Sequence, residues 1–175
     1  MSPNRREFLG LSCSCLGFLA ALDLKAFPEQ SGPEGASMVQ WTSQHLNGGF
    51  WSADSLLLSA VKYLKKPEEI VSVATGFGGG MGRKELCGFV TGGVMAIGLF
   101  SGAAKGGDKA GRQKCQRLTK EYLYWWAKTN PLHCGEIKQP CDYKGMGEKA
   151  SEFIQKLFER ESQKGSGGFP RGISH

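Results

Sequence analysis

Glycine is concentrated in one short stretch of the chain, TGFGGGMGRKELCGFVTGG, which runs from Thr75 to Gly93 and contains eight glycines in nineteen residues. Glycine reaches backbone angles that other residues rarely adopt, and it allows another group to approach the main chain closely. Because ordering glycine is entropically costly, so dense a run indicates a place where the backbone must approach something tightly. Cys87 follows the densest part of the run, so a metal centre or a redox-active cysteine is the first hypothesis to test.

The glycine spacing does not fit the common nucleotide-binding loops. The dinucleotide fingerprint G-x-G-x-x-G follows a strand, whereas residues 67–77 show helical spacing and no third glycine has the required offset. A phosphate-binding loop ends in Gly-Lys-Ser/Thr, and here Gly82 is followed by Arg83, Lys84 and Glu85. We therefore expect no nucleotide cofactor.

The first residues resemble an export signal. Arg5 and Arg6 precede an uncharged run from Leu9 to Leu22, a pattern typical of a secretory leader. The arginine pair indicates the twin-arginine route, and fourteen apolar residues are fewer than the roughly 20 that span a bilayer. We predict a signal peptide over residues 1–26 and a periplasmic or other extracytoplasmic location. The alternative is a cytosolic chain with an apolar N-terminal helix.

The charge pattern excludes one class of partner. The formal net charge is +6, and the basic residues alternate with acidic ones instead of forming a basic stripe interleaved with aromatic side chains. We therefore expect no nucleic-acid partner. The charge supports only a mild attraction to acidic proteins or to an anionic membrane surface.

Hydrophobic periodicity predicts an all-α fold of about five helices in a single domain over residues 38–163, after a linker at 27–37 and before a flexible tail at 164–175. Ser52 is expected to cap a helix that ends near Lys65. Apolar residues at helical spacing predict further helices over 67–77, 86–101, 108–128 and 148–161.

The segment Leu86–Ala104 has two interpretations. Its nineteen uncharged residues meet the length requirement for a membrane span, and its glycines have small-xxx-small spacing. The glycines, Thr91 and Ser101 make it only mildly hydrophobic, and the other helices have apolar faces that need a partner. We therefore predict a buried, glycine-rich central helix that does not span a membrane.

Four cysteines, Cys87, Cys115, Cys134 and Cys141, remain after the leader. No C-x-x-C spacing occurs, and without C-x-x-C-H we expect no covalent c-type haem. In an exported protein, structural disulfides are an alternative to a metal or redox site.

Cys87 has a physical reason to be reactive. It lies in the first turn of the predicted 86–101 helix, where the helix dipole favours an anion, and Arg83 and Lys84 are close in sequence. We therefore predict a lowered thiol pKa for Cys87.

The segment from Ala74 to Arg83, followed by Cys87-Gly88 and Thr91-Gly92-Gly93, resembles the C_GCAxxG_C_C family of redox-active proteins, a relative of a domain in split-Soret cytochromes. The resemblance covers roughly residues 45–160. It implies that Cys87, Cys134 and Cys141 correspond to three of the four family cysteines. The first family cysteine is replaced by Ser52, and Cys115 is additional.

The resemblance implies redox activity, with an iron–sulfur cluster or another thiolate-held metal on Cys87, Cys134 and Cys141. Cys115 or Ser52 would complete the ligand set. The loop that contains Gly78, Gly79, Gly80 and Gly82 would supply backbone N–H groups to the sulfurs. The expected partner is an oxidoreductase or another electron-transfer protein. A cofactor-free thiol–disulfide module and a structural subunit stabilised by disulfides remain alternatives.

Overall fold

Helices account for most of the computed structural model, which describes residues 35–102 and 105–166. The predicted leader over residues 1–26 and most of the linker and tail lie outside the described residues. The α-helices are α1 (Met38–Asn47), α2 (Ser52–Tyr63), α3 (Gly88–Ser101), α4 (Lys109–Ala127) and α5 (Tyr143–Ser166). The predicted all-α fold is confirmed.

Local sequence signals fix several helix ends. Ser37 caps α1 in a reciprocal capping box with Gln40, and the Asp108 side chain accepts the Gly111 N–H at the start of α4. Ser52 was expected to be the cap of α2 but is its first helical residue, after Trp51. The predicted helix after Pro67 is a 3-10 segment, Glu68–Phe77, instead of an α-helix, and it ends just before the glycines at 78–80.

The two longest helices of the structure, α4 and α5, differ in how closely their first residues were predicted. α4 begins at Lys109, one residue from the prediction. α5 begins at Tyr143, five residues before the predicted Glu148, and its first turns therefore include Gly145 and Gly147. Gly147 allows close packing, since a Cβ there would come within 2.8 Å of Leu46 and 2.9 Å of Phe89.

Helices α2 and α3 form the centre of the core. Ten of the twelve residues of α2 are buried, so α2 has neighbours on nearly every side. α3 lies directly against it because Gly88 and Gly92 lack side chains, and a Cβ at Gly92 would lie 2.7 Å from the Ala53 carbonyl oxygen. On another side of α3, Gly93 makes room for the Tyr122 ring of α4.

α5 is held to α4 by ion pairs as well as by apolar packing. The Arg117 guanidinium contacts the Glu161 carboxylate at 2.5 Å, and Arg160 contacts Glu121 at 2.7 Å. Glu161 is buried beneath these partners. The hydrogen bond from Arg117 lowers the Glu161 pKa to about 2.

Among the described residues, no helix is both long enough and apolar enough to cross a bilayer. α3 contains 14 residues, fewer than the roughly 20 needed for a span. Its residues Phe89 and Ile97 are fully buried by protein, as expected of a central helix.

Candidate functional site

The glycine run forms a left-handed turn immediately before α3. Gly79, Gly80, Met81 and Gly82 are consecutive residues with φ between 58° and 68°. A left-handed conformation costs a residue with a side chain about 1–2 kcal/mol, and three of these four positions are glycine. The turn is closed by a hydrogen bond of 3.1 Å from the Glu85 N–H to the Gly80 carbonyl. The dense glycines are therefore what allows the chain to form this left-handed turn.

Gly78, just before the turn, and Gly80, within it, also make close contacts with neighbouring residues. A Cβ at Gly78 would lie 1.3 Å from the Trp51 ring, so glycine is required there for the indole to pack against the loop. A Cβ at Gly80 would lie 3.0 Å from the Cβ of Cys134 and 2.7 Å from the Glu85 nitrogen. Gly80 is thus the point at which the turn approaches the second cysteine-bearing segment.

A single antiparallel bridge joins Leu86 to His133 and brings two cysteines together. The Cys87 N–H donates to the Leu132 carbonyl at 2.8 Å, and the Cys134 N–H donates to the Glu85 carbonyl at 2.7 Å. Because side chains alternate between the faces of paired strands, Cys87 and Cys134 lie on the same face, opposite to that of the bridged pair. They are diagonal neighbours across the bridge.

Cys141 completes a cluster of three thiols. The Cys87 thiol is within electrostatic range of both Cys134 and Cys141. Cys87 is 2% exposed, whereas Cys134 and Cys141 are half-buried. The four described cysteines are all free thiols. The cluster therefore has one enclosed sulfur and two that solvent or a partner can reach.

The prediction of a lowered Cys87 pKa is wrong. Burial raises the pKa of this thiol, and negative charge on Cys134 and Cys141 raises it further. The backbone N–H groups of Phe89 and Val90, at the start of α3, act in the opposite direction but do not prevail. Cys87 is the N-cap residue of α3, so it lies at the start of this helix as predicted. The sequence did not indicate that it would be shielded from water.

Ser52 lies at this cluster. A Cβ at Gly88, the residue after Cys87, would be 2.1 Å from the Ser52 hydroxyl oxygen. The first residue of α2 and the first residue of α3 are therefore in contact. The position at which the resemblance implied a fourth cysteine is occupied by a buried hydroxyl group beside the thiols.

Cys115 lies elsewhere. It is on α4 next to Lys114, whose ammonium group is 4.2 Å from the ring centre of Phe100. Phe100 is at the end of α3 remote from Cys87, and thirteen residues of helix correspond to about 20 Å. Cys115 packs against the apolar core and is not brought to the other three cysteines.

Two residues of the site were missed by the sequence reasoning. The Tyr143 hydroxyl contacts both the side chain and the backbone of Ser52, and its pKa is raised by burial and by the nearby Cys87 and Cys134. Its ring lies 5.0 Å from that of Phe89. Nothing in the local pattern identifies Tyr143, because it reaches the site only through the packing of α5 against α3.

Asp54 is the second missed residue. It lies in the first turn of α2 and receives a hydrogen bond from Thr75, the first residue of the glycine run. Burial raises the pKa of the Asp54 carboxyl group, and the hydrogen bond lowers it less. Asp54 connects α2 to the glycine run.

The donor set suits a thiophilic metal in its chemistry. The three thiols are the kind of ligand that zinc or an iron–sulfur cluster takes, and the Ser52 hydroxyl beside them is a weaker oxygen donor. The side chains do not form a ready coordination site: within residues 35–102 and 105–166, no group of three or more potential ligands is arranged to hold a metal ion. Binding would require the loop that bears Cys134 and Cys141 to adjust.

Comparison with known proteins gives one finding. The family model described as "Putative redox-active protein (C_GCAxxG_C_C)" matches residues 50–163, which include the glycine turn and all four described cysteines. No curated protein and no solved structure matches the chain.

Proposed function

Since the chain belongs to the C_GCAxxG_C_C family of redox-active proteins, we propose that Cys87, Cys134 and Cys141 are its redox centre and that their thiolates hold an iron–sulfur cluster. The observation that supports this most directly is the convergence of three free thiols from two distant segments on the start of α3. Cys115 lies apart from them and is not assigned to the centre.

The surroundings of the cluster suit this role. An iron–sulfur cluster, when bound, supplies one-electron transfer, and its potential depends on hydrogen bonds to sulfur and on exposure to solvent. The left-handed turn Gly79–Gly82 approaches Cys134 at Gly80, so its backbone N–H groups are the proposed donors to the sulfurs. Cys87 and Phe89 are buried, so water is excluded on the core side.

Ser52 is the proposed fourth group. Its hydroxyl lies beside Gly88, the residue after Cys87, and contacts Tyr143. A cluster held by three thiolates and one weaker oxygen donor would be bound less firmly at the oxygen than a cluster held by four thiolates. We therefore assign the chain to electron transfer or redox sensing, in which a partner oxidoreductase approaches the half-buried Cys134 and Cys141 side.

Export by the twin-arginine route is part of this proposal. The arginine pair Arg5-Arg6 and the apolar run after it support export of a folded protein, and insertion of a cofactor in the cytoplasm requires a folded chain. The proposed location is the periplasm or another extracytoplasmic compartment.

A second candidate function is a cofactor-free thiol–disulfide module. It is favoured by the absence, within the described residues, of a group arranged to hold a metal ion. Cys134 and Cys141 would be the exchanging pair, with Cys87 as a third thiol. This version needs no cofactor and predicts a reversible loss of two free thiols on mild oxidation.

Anaerobic purification distinguishes the two candidates. The chain is expressed and purified without oxygen, and iron, acid-labile sulfide and visible absorbance are measured for the wild type, Cys87→Ser, Cys134→Ser and Cys115→Ser. We expect iron and sulfide in the wild type and in Cys115→Ser, the matched control, and a loss of both in the other two variants. A colourless, iron-free wild type would overturn the iron–sulfur proposal. A free-thiol count before and after oxidation then tests the second candidate.

A further inference from the structure

Two adjoining clefts run along the surface between α4, α5 and the loop that bears Cys141. The first has a volume of about 460 Å³ and the second of about 520 Å³. They share Asn130, Met146 and Lys149, so they form one groove that leads from Trp125 to Cys141. Each volume is in the range of small-molecule sites, about 300–1,000 Å³.

The first cleft offers an aromatic surface. The Trp125 and Phe153 rings stack with centres 4.3 Å apart and an angle of 14° between their planes. Both are half-buried, so part of each ring remains accessible from the groove. The accessible faces or edges of this pair suit a planar, conjugated ligand. Offset contacts between aromatic rings contribute more binding free energy than the burial of their apolar area alone.

The groove is lined by three lysines and three carboxylates, so its formal charge is zero, and of these lysines only Lys156 forms an ion pair within the described residues. Its three carboxylates are all engaged: Glu152 with Lys156 at 2.5 Å, Glu136 with His133 at 3.6 Å, and Asp142 with the Gly145 N–H at 2.9 Å. Lys138 and Lys149 also line the groove, and neither has an ion-pair partner in the described part of the chain. Lys149 lies where the two clefts meet, so its ammonium group is available to a bound anion.

We infer that this groove binds a small, planar aromatic anion. The Trp125–Phe153 pair contacts its rings, and Lys149 pairs with its anionic group. Because the groove ends at Cys141, a bound molecule lies against the outer thiol of the cluster. That the ligand is redox-active, as an anionic quinone is, rests on the proposed function. That the groove binds a planar aromatic anion does not.

The test uses anthraquinone-2-sulfonate as the probe, since it is planar, anionic, redox-active and unable to add a thiol to its fully fused quinone ring. Its dissociation constant is measured by isothermal titration calorimetry for the protein as purified, for Lys149→Gln and for Lys120→Gln. Lys120 is an exposed lysine of α4 outside the groove and serves as the matched control. We expect Lys149→Gln to weaken binding about fivefold, the factor for one partly exposed charged contact, and Lys120→Gln to leave it unchanged.

A second variant tests the aromatic contact. Phe153→Leu keeps an apolar side chain but removes the ring that stacks on Trp125. Its fold is verified by circular dichroism, and we expect weaker binding of the sulfonate without a change in helix content. No binding to the wild type, or equal affinity in Lys149→Gln and Lys120→Gln, would overturn the inference.

The two proposals fail separately. If the protein contains iron and sulfide but does not bind the probe, the iron–sulfur proposal stands and the ligand proposed for the groove is wrong. If the protein is free of iron but its binding of the probe depends on Lys149, the proposed groove ligand stands and the iron–sulfur proposal is wrong.

Discussion

Ser52 and Gly88 begin neighbouring helices and meet so closely that a side chain at Gly88 would lie 2.1 Å from the Ser52 hydroxyl oxygen. Gly88 directly follows Cys87 in the chain. The geometry of the proposed centre therefore depends on the distance between α2 and α3.

Ser52→Cys is expected to complete a four-thiol site. A thiolate at this position would hold iron more firmly than a hydroxyl, so the visible absorbance should decay more slowly in the presence of a chelator than in the wild type. Ser52→Ala removes the oxygen donor and should decay faster. The same decay rate in all three proteins would show that residue 52 is not a ligand.

Gly88→Ala should destabilise the fold by about 1–3 kcal/mol, the usual cost of overpacking a core. The added methyl group would meet the Ser52 hydroxyl at 2.1 Å and the Ala53 nitrogen at 3.0 Å. Urea unfolding followed by circular dichroism measures the loss.

Gly98→Ala is the matched control in the same helix. No atom lies within 4 Å of a Cβ at Gly98, so the substitution should stabilise the protein by about 0.5–1 kcal/mol through the higher helix propensity of alanine. Equal effects at positions 88 and 98 would contradict the close contact between α2 and α3.

Gly80→Ala should open the thiol cluster. Its φ of 64° is unfavourable for alanine by about 1–2 kcal/mol, and the methyl group would lie 2.7 Å from the Glu85 nitrogen. The methyl group would also lie 3.0 Å from the Cβ of Cys134, so we expect the turn to move away from Cys134. We expect faster alkylation of Cys134, measured by mass spectrometry. Gly76→Ala has open space and no positive φ, and should leave the rate unchanged.

His45 should make stability depend on pH. Burial is the main cause that lowers its pKa to about 4 from 6.5, so the folded state excludes a proton that the unfolded chain binds. Stability is complete above pH 6.5 and falls as the pH drops toward 4, by about 2 kcal/mol between pH 7 and pH 5. Chemical unfolding at several pH values measures this slope.

His45→Gln is the comparison. It removes the titrating ring while keeping a polar group near the Ser59 hydroxyl, which lies 3.1 Å from the His45 Nδ1. The variant should show a flatter dependence between pH 7 and pH 5. Below that window Glu161, with its pKa of about 2, adds a second loss as the pH falls from 4.5 toward 2. An unchanged slope above pH 5 would exclude His45 as its source.

The sequence predicted the elements whose signals are local. α4 was located to within one residue because Asp108 caps it and Leu118, Tyr122 and Trp126 recur on one buried face. The early start of α5 was missed because glycines normally weaken a helix, whereas Gly147 is required here by the packing of Leu46 and Phe89.

The candidate site was predictable only in part. The cysteines and the glycine turn are visible in the sequence, but the Leu86–His133 bridge is a single residue pair and leaves no alternating pattern. The raised Cys87 pKa depends on burial by tertiary packing, which no neighbouring residue indicates. The separation of Cys115 likewise follows from the direction in which α4 passes α3.

The Leu86–His133 bridge also sets an order of events during biogenesis. Its two partners are 47 positions apart, with all of α3 and α4 between them, so loop closure makes their pairing a late step of folding. An incompletely folded chain presents Cys87 and Cys134 as isolated thiols. In the proposed iron–sulfur centre, loading would therefore be coupled to the last steps of folding, and a nascent chain would not yet present the assembled thiols.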